Sequence, residues 1–241
     1  LKKVKTLLIP FFSFYLLSYL YWFFVEQSFR PSTSTEFYVP LIGLLYGTSY
    51  KMFIIPNGAL WFLPCFFSTE ILAHLIFKHI KSKFQLFILT TTLITGFVYP
   101  LFKIVPLPLG ISSALTATFF YGISCLLKEK IKGFLSISKL GLFAVCLFFM
   151  TIVYFMSTIN GRVDLAKMVY NNHLIYIAAS LIGAYSILFL SAGISKSKIL
   201  QWIGQNSLVI FALSEPVKRA VIYIMSKISH ISISELRDSV I

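Results

Sequence analysis

Seven stretches of mostly apolar residues, each near twenty residues long, run along this chain at 7–25, 60–77, 84–102, 107–127, 140–157, 174–192 and 206–226. A helix rising about 1.5 Å per residue needs roughly 20 such residues to cross a hydrocarbon core about 30 Å thick. In lipid the backbone must satisfy its own hydrogen bonds, which a helix does within one segment. The pattern therefore predicts an all-α fold, a polytopic transmembrane bundle of about seven spanning helices. The last stretch differs from the others because Glu215, Lys218 and Arg219 interrupt it. Composition points the same way. Only 12% of the 241 residues are charged and 58% are hydrophobic, whereas a soluble domain carries about a quarter charged residues.

The formal net charge of +13 would suggest nucleic acid in a soluble protein. Here the basic residues sit between the apolar stretches and alternate strictly. Lys2, Lys3 and Lys5 precede the first, Lys78, Lys81 and Lys83 follow the second, Lys128, Lys130, Lys132 and Lys139 follow the fourth, and Lys196 and Lys198 follow the sixth. The other connectors hold only Arg30, Lys51, Lys103, Arg162 and Lys167. The positive-inside rule then places the N-terminus and the lysine-rich loops in the cytoplasm of a multi-pass cell-membrane protein. Nucleic acid is not expected as a partner; the lipid bilayer is.

The remaining segments fill in the organisation. Residues 26–59 form a long external connector whose apolar part, 37–55, is short and broken by Pro40, Gly43 and Gly47. That part suits a re-entrant or interfacial helix better than a span. Residues 1–226 make one transmembrane domain and 227–241 a polar tail. The first apolar stretch is too long for a signal peptide and no cleavage site follows it. Cys65, Cys125 and Cys146 form no CxxC pair, so neither a metal site nor a disulfide framework is expected.

Titratable groups inside spans are costly and often functional. Glu70 and His74, four residues apart, share a helix face, with Glu70 roughly 15 Å into its span. A carboxylate orienting an imidazole makes them the catalytic candidates; a hydrogen bond joining two helices is the structural alternative. The external run Asn160-Gly161-Arg162-Val163-Asp164 offers groups that can bind sugar hydroxyls or clamp a diphosphate, although from composition alone an ordinary Asn-Gly turn with solvated charges is the better account. Asn206, a natural helix cap, and Glu215 are further candidates for substrate binding. So is Trp61, which otherwise reads as an interfacial aromatic. His79, His173 and His230 have no companion group in the sequence that marks them out.

Three motifs taken in order, Leu60-Trp61-Phe62-Leu63-Pro64, Asn160 to Asp164, and Ile203-Gly204-Gln205-Asn206-Ser207-Leu208, resemble those of the type 3 membrane acyltransferases, in particular the fucose 4-O-acetylase-related branch. Leu7-Leu8-Ile9-Pro10-Phe11 is similar to the start of the third helix of that family. The resemblance implies transfer of an acetyl group from acetyl-CoA, a co-substrate, to a hydroxyl of a cell-envelope glycan or lipid-linked sugar, without a metal. The family's essential His lies in a helix ahead of the one that opens this chain, and the His that often precedes Glu-Pro in its last helix is Ser214 here. The resemblance thus implies a C-terminal part of a larger bundle, lacking two helices and inactive alone. Two other functions fit a many-span chain: a polytopic transporter or glycan-lipid flippase using Glu70 and His74 as a proton route, and a non-catalytic membrane scaffold. The inverted repeats common in transporters are not visible.

Overall fold

The computed structural model describes residues 3–26, 36–48, 56–134, 138–194 and 197–229. Helix α1 (Ile9–Phe24) continues a π-helical turn at Val4–Leu8. A short helix α2 (Tyr38–Tyr46) follows. Next come α3 (Phe62–His79), entered through a 3-10 turn at Gly58–Trp61, and α4 (Ser82–Val98). Then come α5 (Ile111–Phe134), α6 (Lys139–Asn160), α7 (His173–Gly193), α8 (Lys198–Gln205) and α9 (Ser207–Ser229). No strand forms among the described residues; the nearest approach is an isolated bridge between Asp164 and Val169.

Six of these segments are long and apolar enough to cross a membrane: Val4–Phe24, Gly58–His79, Ser82–Phe102, Pro108–Gly133, Leu140–Asn160 and His173–Gly193. They coincide with the first six expected spans. The seventh, expected at 206–226, is the helix α9, but its charged residues keep it out of that group. Only Asn206 separates α9 from α8. Of the apolar run 37–55, expected as a re-entrant or interfacial helix, Tyr38–Tyr46 form the nine-residue α2, which stops at Gly47 in the left-handed region (φ 61°), and 49–55 lie outside the described residues. A Cβ on Gly47 would come within 2.6 Å of Pro64 Cγ. Of the tail expected at 227–241, the first three residues belong to α9 and the rest lie outside the described residues, as do Lys2, Arg30, Lys51 and Lys196.

The ends of the helices are set by local chemistry. Asn172 caps α7 by accepting from the amides of Leu174 and Ile175, Ser138 caps α6, and Ser197 caps α8. Pro100 and Pro108 flank the break between α4 and α5.

The bundle is inside out relative to a soluble protein. Leu140, Leu147, Leu174 and Phe24 are largely exposed on its outside, while Ser18, Thr69, Ser112, Ser113, Thr116, Thr118 and Ser186 are buried between helices. Small hydroxylic residues let helices approach closely where lipid offers no hydrophobic drive to associate, and three of these hydroxyls return to a carbonyl of their own helix: Thr69 to Cys65 at 2.9 Å, Thr118 to Ala114 at 2.6 Å and Ser186 to Ile182 at 2.7 Å. Helix α5 sits between α3 and α4, and α6 pairs with α7. One apolar core joins α1, α3 and α9 through Leu7, Phe11, Tyr15, Leu60, Leu63 and Ala212. A second joins α3, α4 and α5 through Ile76, Leu89, Leu93 and Phe119. A third, of Met168, Tyr170 and Tyr176, fastens the 161–172 loop to the helices.

Candidate functional site

Buried charge gathers at the two ends of the first membrane-length segment, Val4–Phe24. One group lies where α1 ends. Phe11, Tyr15, Ser18 and Trp22 form the buried stripe of α1, and Glu26, four residues beyond Trp22, extends it and is almost fully buried. Arg219 of α9 meets Glu26 through Nη1, which lies 3.3 Å from Oε1 and 3.0 Å from Oε2. The same nitrogen donates to the Pro56 carbonyl at 2.7 Å, and Nε donates to Glu215 Oε2 at 3.2 Å. One guanidinium thus ties the end of α1, the entry to α3 and its own helix together. Such a charge is tolerable at low dielectric only when its hydrogen-bonding sites are filled.

Asn57 stands beside this pair and is fully buried. Its Oδ1 accepts from the Ala59 amide at 3.1 Å, and its Nδ2 donates to Ser18 Oγ at 3.3 Å and to the Ala212 carbonyl at 2.7 Å. That carbonyl needs an outside donor because Pro216, four residues on inside α9, has no N–H to give it. Asn57→Ala is expected to destabilise the purified protein by about 2 kcal/mol, since it strands a buried carbonyl and an amide. Asn57→Asp should be worse, because a carboxylate would face the Ala212 carbonyl with no proton to share. Thermal unfolding in detergent checks both; an aspartate variant as stable as wild type contradicts this account.

The other end holds Glu70. Its Oε1 is hydrogen-bonded by the Lys3 ammonium, and its Oε2 is buried with no hydrogen-bond partner among the described residues. The Lys3 side chain is exposed, and its bond to Glu70 raises the ammonium's pKa and keeps it charged. His74 shares the helix with Glu70 but is exposed and makes no hydrogen bond to it. The structure thus pairs Glu70 with Lys3 rather than with His74.

The other expected site residues are spread apart. Asn160 is buried and is used by the loop that follows it: Nδ2 donates to the Tyr170 carbonyl at 3.2 Å and Oδ1 accepts from the Asn172 amide at 2.9 Å. Asp164 bridges Val169 through the backbone, accepts from the Lys167 amide at 3.1 Å and lies 3.6 Å from Lys167 Nζ. Arg162 is exposed, and its guanidinium has no partner among the described residues. Tyr170 anchors the loop; its hydroxyl lies 3.0 Å from Thr116 Oγ1, and burial pushes its phenol well above the usual range while the Thr116 bond pulls the other way. Asn206 Nδ2 returns to the Trp202 carbonyl at 2.9 Å. Trp61 packs on the first core cluster. Of the expected residues, the structure brings Trp61 and Glu215 to the end where Arg219 lies, and leaves Glu70, Arg162 and Asn206 elsewhere.

Glu26 and Asn57 are functional candidates that the sequence reading missed. A signal was present in both cases: Glu26 directly follows an apolar run, and Asn57 sits between Pro56 and Gly58 at the mouth of another. Among the described residues no group of three or more His, Cys, Asp or Glu side chains could hold a metal ion.

Comparison with known proteins is sparse and specific. No curated protein and no solved structure matches the chain. The acyltransferase 3 family, described as an acyltransferase domain, matches residues 1–236, which is nearly the whole length. The matched range takes in all six membrane-length helices and the Glu26–Arg219 pair between them. On that match the chain belongs to the acyltransferase 3 family of membrane O-acyltransferases.

Proposed function

We propose that this chain belongs to an enzyme that moves an acetyl group from acetyl-CoA to a hydroxyl of a cell-envelope polysaccharide or lipid-linked sugar, with the N-terminus and lysine-rich loops of the chain on the cytoplasmic side. The observation that carries this reading is the family match over residues 1–236. In the reaction the acceptor hydroxyl gives up its proton as its oxygen attacks the thioester carbonyl. The carbon–sulfur bond breaks, and the CoA thiolate leaves and takes a proton. We assign the proton-accepting role to Glu70, because Glu70 Oε2 is a buried acceptor with no hydrogen-bond partner among the described residues. Arg162, whose guanidinium has no partner among the described residues, suits the diphosphate of a lipid-linked sugar. Asn160, Asp164, Asn206, Glu215 and Trp61 then serve the site by shaping the helix ends and the loop around it.

The test uses membranes carrying the natural gene product and acetyl-CoA labelled in the acetyl group. Alkali-labile label on an envelope glycan is expected; an envelope without acetyl ester sinks the proposal. Glu70→Gln, which keeps the shape and an acceptor for Lys3, should lower acetylation about a hundredfold at equal protein level. Unchanged acetylation in that variant reduces Glu70 to a packing role.

A further inference from the structure

A cavity of about 450 Å³ lies between α5, α6 and α7, far along the chain from the buried charges. Leu127, Ile131, Leu142, Val145, Phe149 and Phe189 give it an apolar wall, and Lys130 stands among them. Its volume falls within the roughly 300–1,000 Å³ typical of ligand pockets. One polar feature sets it apart from a plain gap between lipid-facing helices. Lys130 is exposed and has no acidic partner among the described residues, since the nearby Glu129 is taken by Lys132 at 2.8 Å. Tyr185 also lines the cavity, but with its ring: its hydroxyl is buried away from the cavity surface.

We propose that this cavity holds one acyl chain of an anionic phospholipid, whose headgroup phosphate sits on Lys130. The wall fits hydrocarbon and cannot recognise a polar head. The cation at its edge supplies the opposite charge, reinforced by Lys128 on the same exposed helix end. A Lys near a membrane surface contributes about 1 kcal/mol toward an anionic lipid. The site lies at the lysine-rich end of the bundle and stands independently of the acyl-transfer reading.

The experiment is native mass spectrometry of the purified full chain from mixed phosphatidylglycerol and phosphatidylcholine micelles. Wild type should retain one phosphatidylglycerol in preference to phosphatidylcholine. Lys130→Gln, a change at an exposed residue outside the core, should lower that preference about fivefold. Val145→Trp, which fills the cavity, should abolish the retained lipid while unfolding as wild type does. Retention unchanged by Lys130→Gln overturns the proposal. So does a retained lipid that palmitoyl-CoA displaces more readily than phosphatidylglycerol does, which would make the cavity a donor-chain site.

Discussion

Arg219→Ala is expected to lower the stability of the bundle by about 3–5 kcal/mol, more than any other single exposed-helix substitution in α9. The reason is what it leaves behind. Glu26 is almost entirely buried, and Arg219 spans both of its oxygens. Breaking a buried pair from one side strands a charge at low dielectric, which typically costs that amount. The Pro56 carbonyl also loses its donor. The double variant Arg219→Met with Glu26→Leu removes both charges and should recover most of the loss, because a well-packed apolar pair often equals a buried ion pair. Unfolding is measurable with a thiol-reactive dye in a Cys125→Ser background, since Cys125 is exposed whereas Cys65 and Cys146 are buried and become reactive as the bundle opens. A single variant as stable as wild type contradicts the assignment. So does a double variant no better than the single one.

The second large effect is at Gly96, where α4 presses on α5. A Cβ on Gly96 would stand 2.2 Å from Thr116 Oγ1 and 2.9 Å from the Thr116 backbone nitrogen. The hydroxyl cannot simply rotate away, because it is bound to Tyr170, and the backbone behind it cannot move without shifting α5. Gly96→Ala should therefore cost about 3 kcal/mol, at the upper end for overpacking, and loosen the 161–172 loop through Tyr170. Gly183→Ala in α7 is the matched control. There the nearest atoms, on Val153, are 3.8 Å and 3.9 Å away, so the gain in helix propensity should leave the protein equal or slightly more stable. Equal melting of the two variants would refute the close-contact argument.

The spans were readable because one property decides them. Length and apolarity fix a membrane helix, and the charges between stretches check the count, so Lys78, Lys81 and Lys83 marked the α3–α4 turn before any fold was known. The charged helix at the end of the chain was harder. Glu215 and Arg219 looked like interruptions of a span, but they are partners of each other at i and i+4, and Arg219 reaches a residue 193 positions earlier. No local pattern encodes that contact. Glu70 shows the same limit at short range. Spacing of four put Glu70 and His74 on one face, yet a face has width: Glu70 turns toward Lys3 and the interior, and His74 turns outward. Asn160 and Asp164 were legible as polar loop residues. What could not be read was that their donors and acceptors would be used up in holding the loop itself.

Pro216 and Asn57 make a pair of a different kind. The proline removes a rung from α9, and a side chain from the mouth of α3 supplies the missing proton to the Ala212 carbonyl. The defect in one helix is thereby the attachment point of another. The two positions are therefore coupled in energy: an alanine at 216 would give the Ala212 carbonyl a donor from its own helix and lower the cost of losing Asn57, whereas with the proline in place that loss leaves the carbonyl bare.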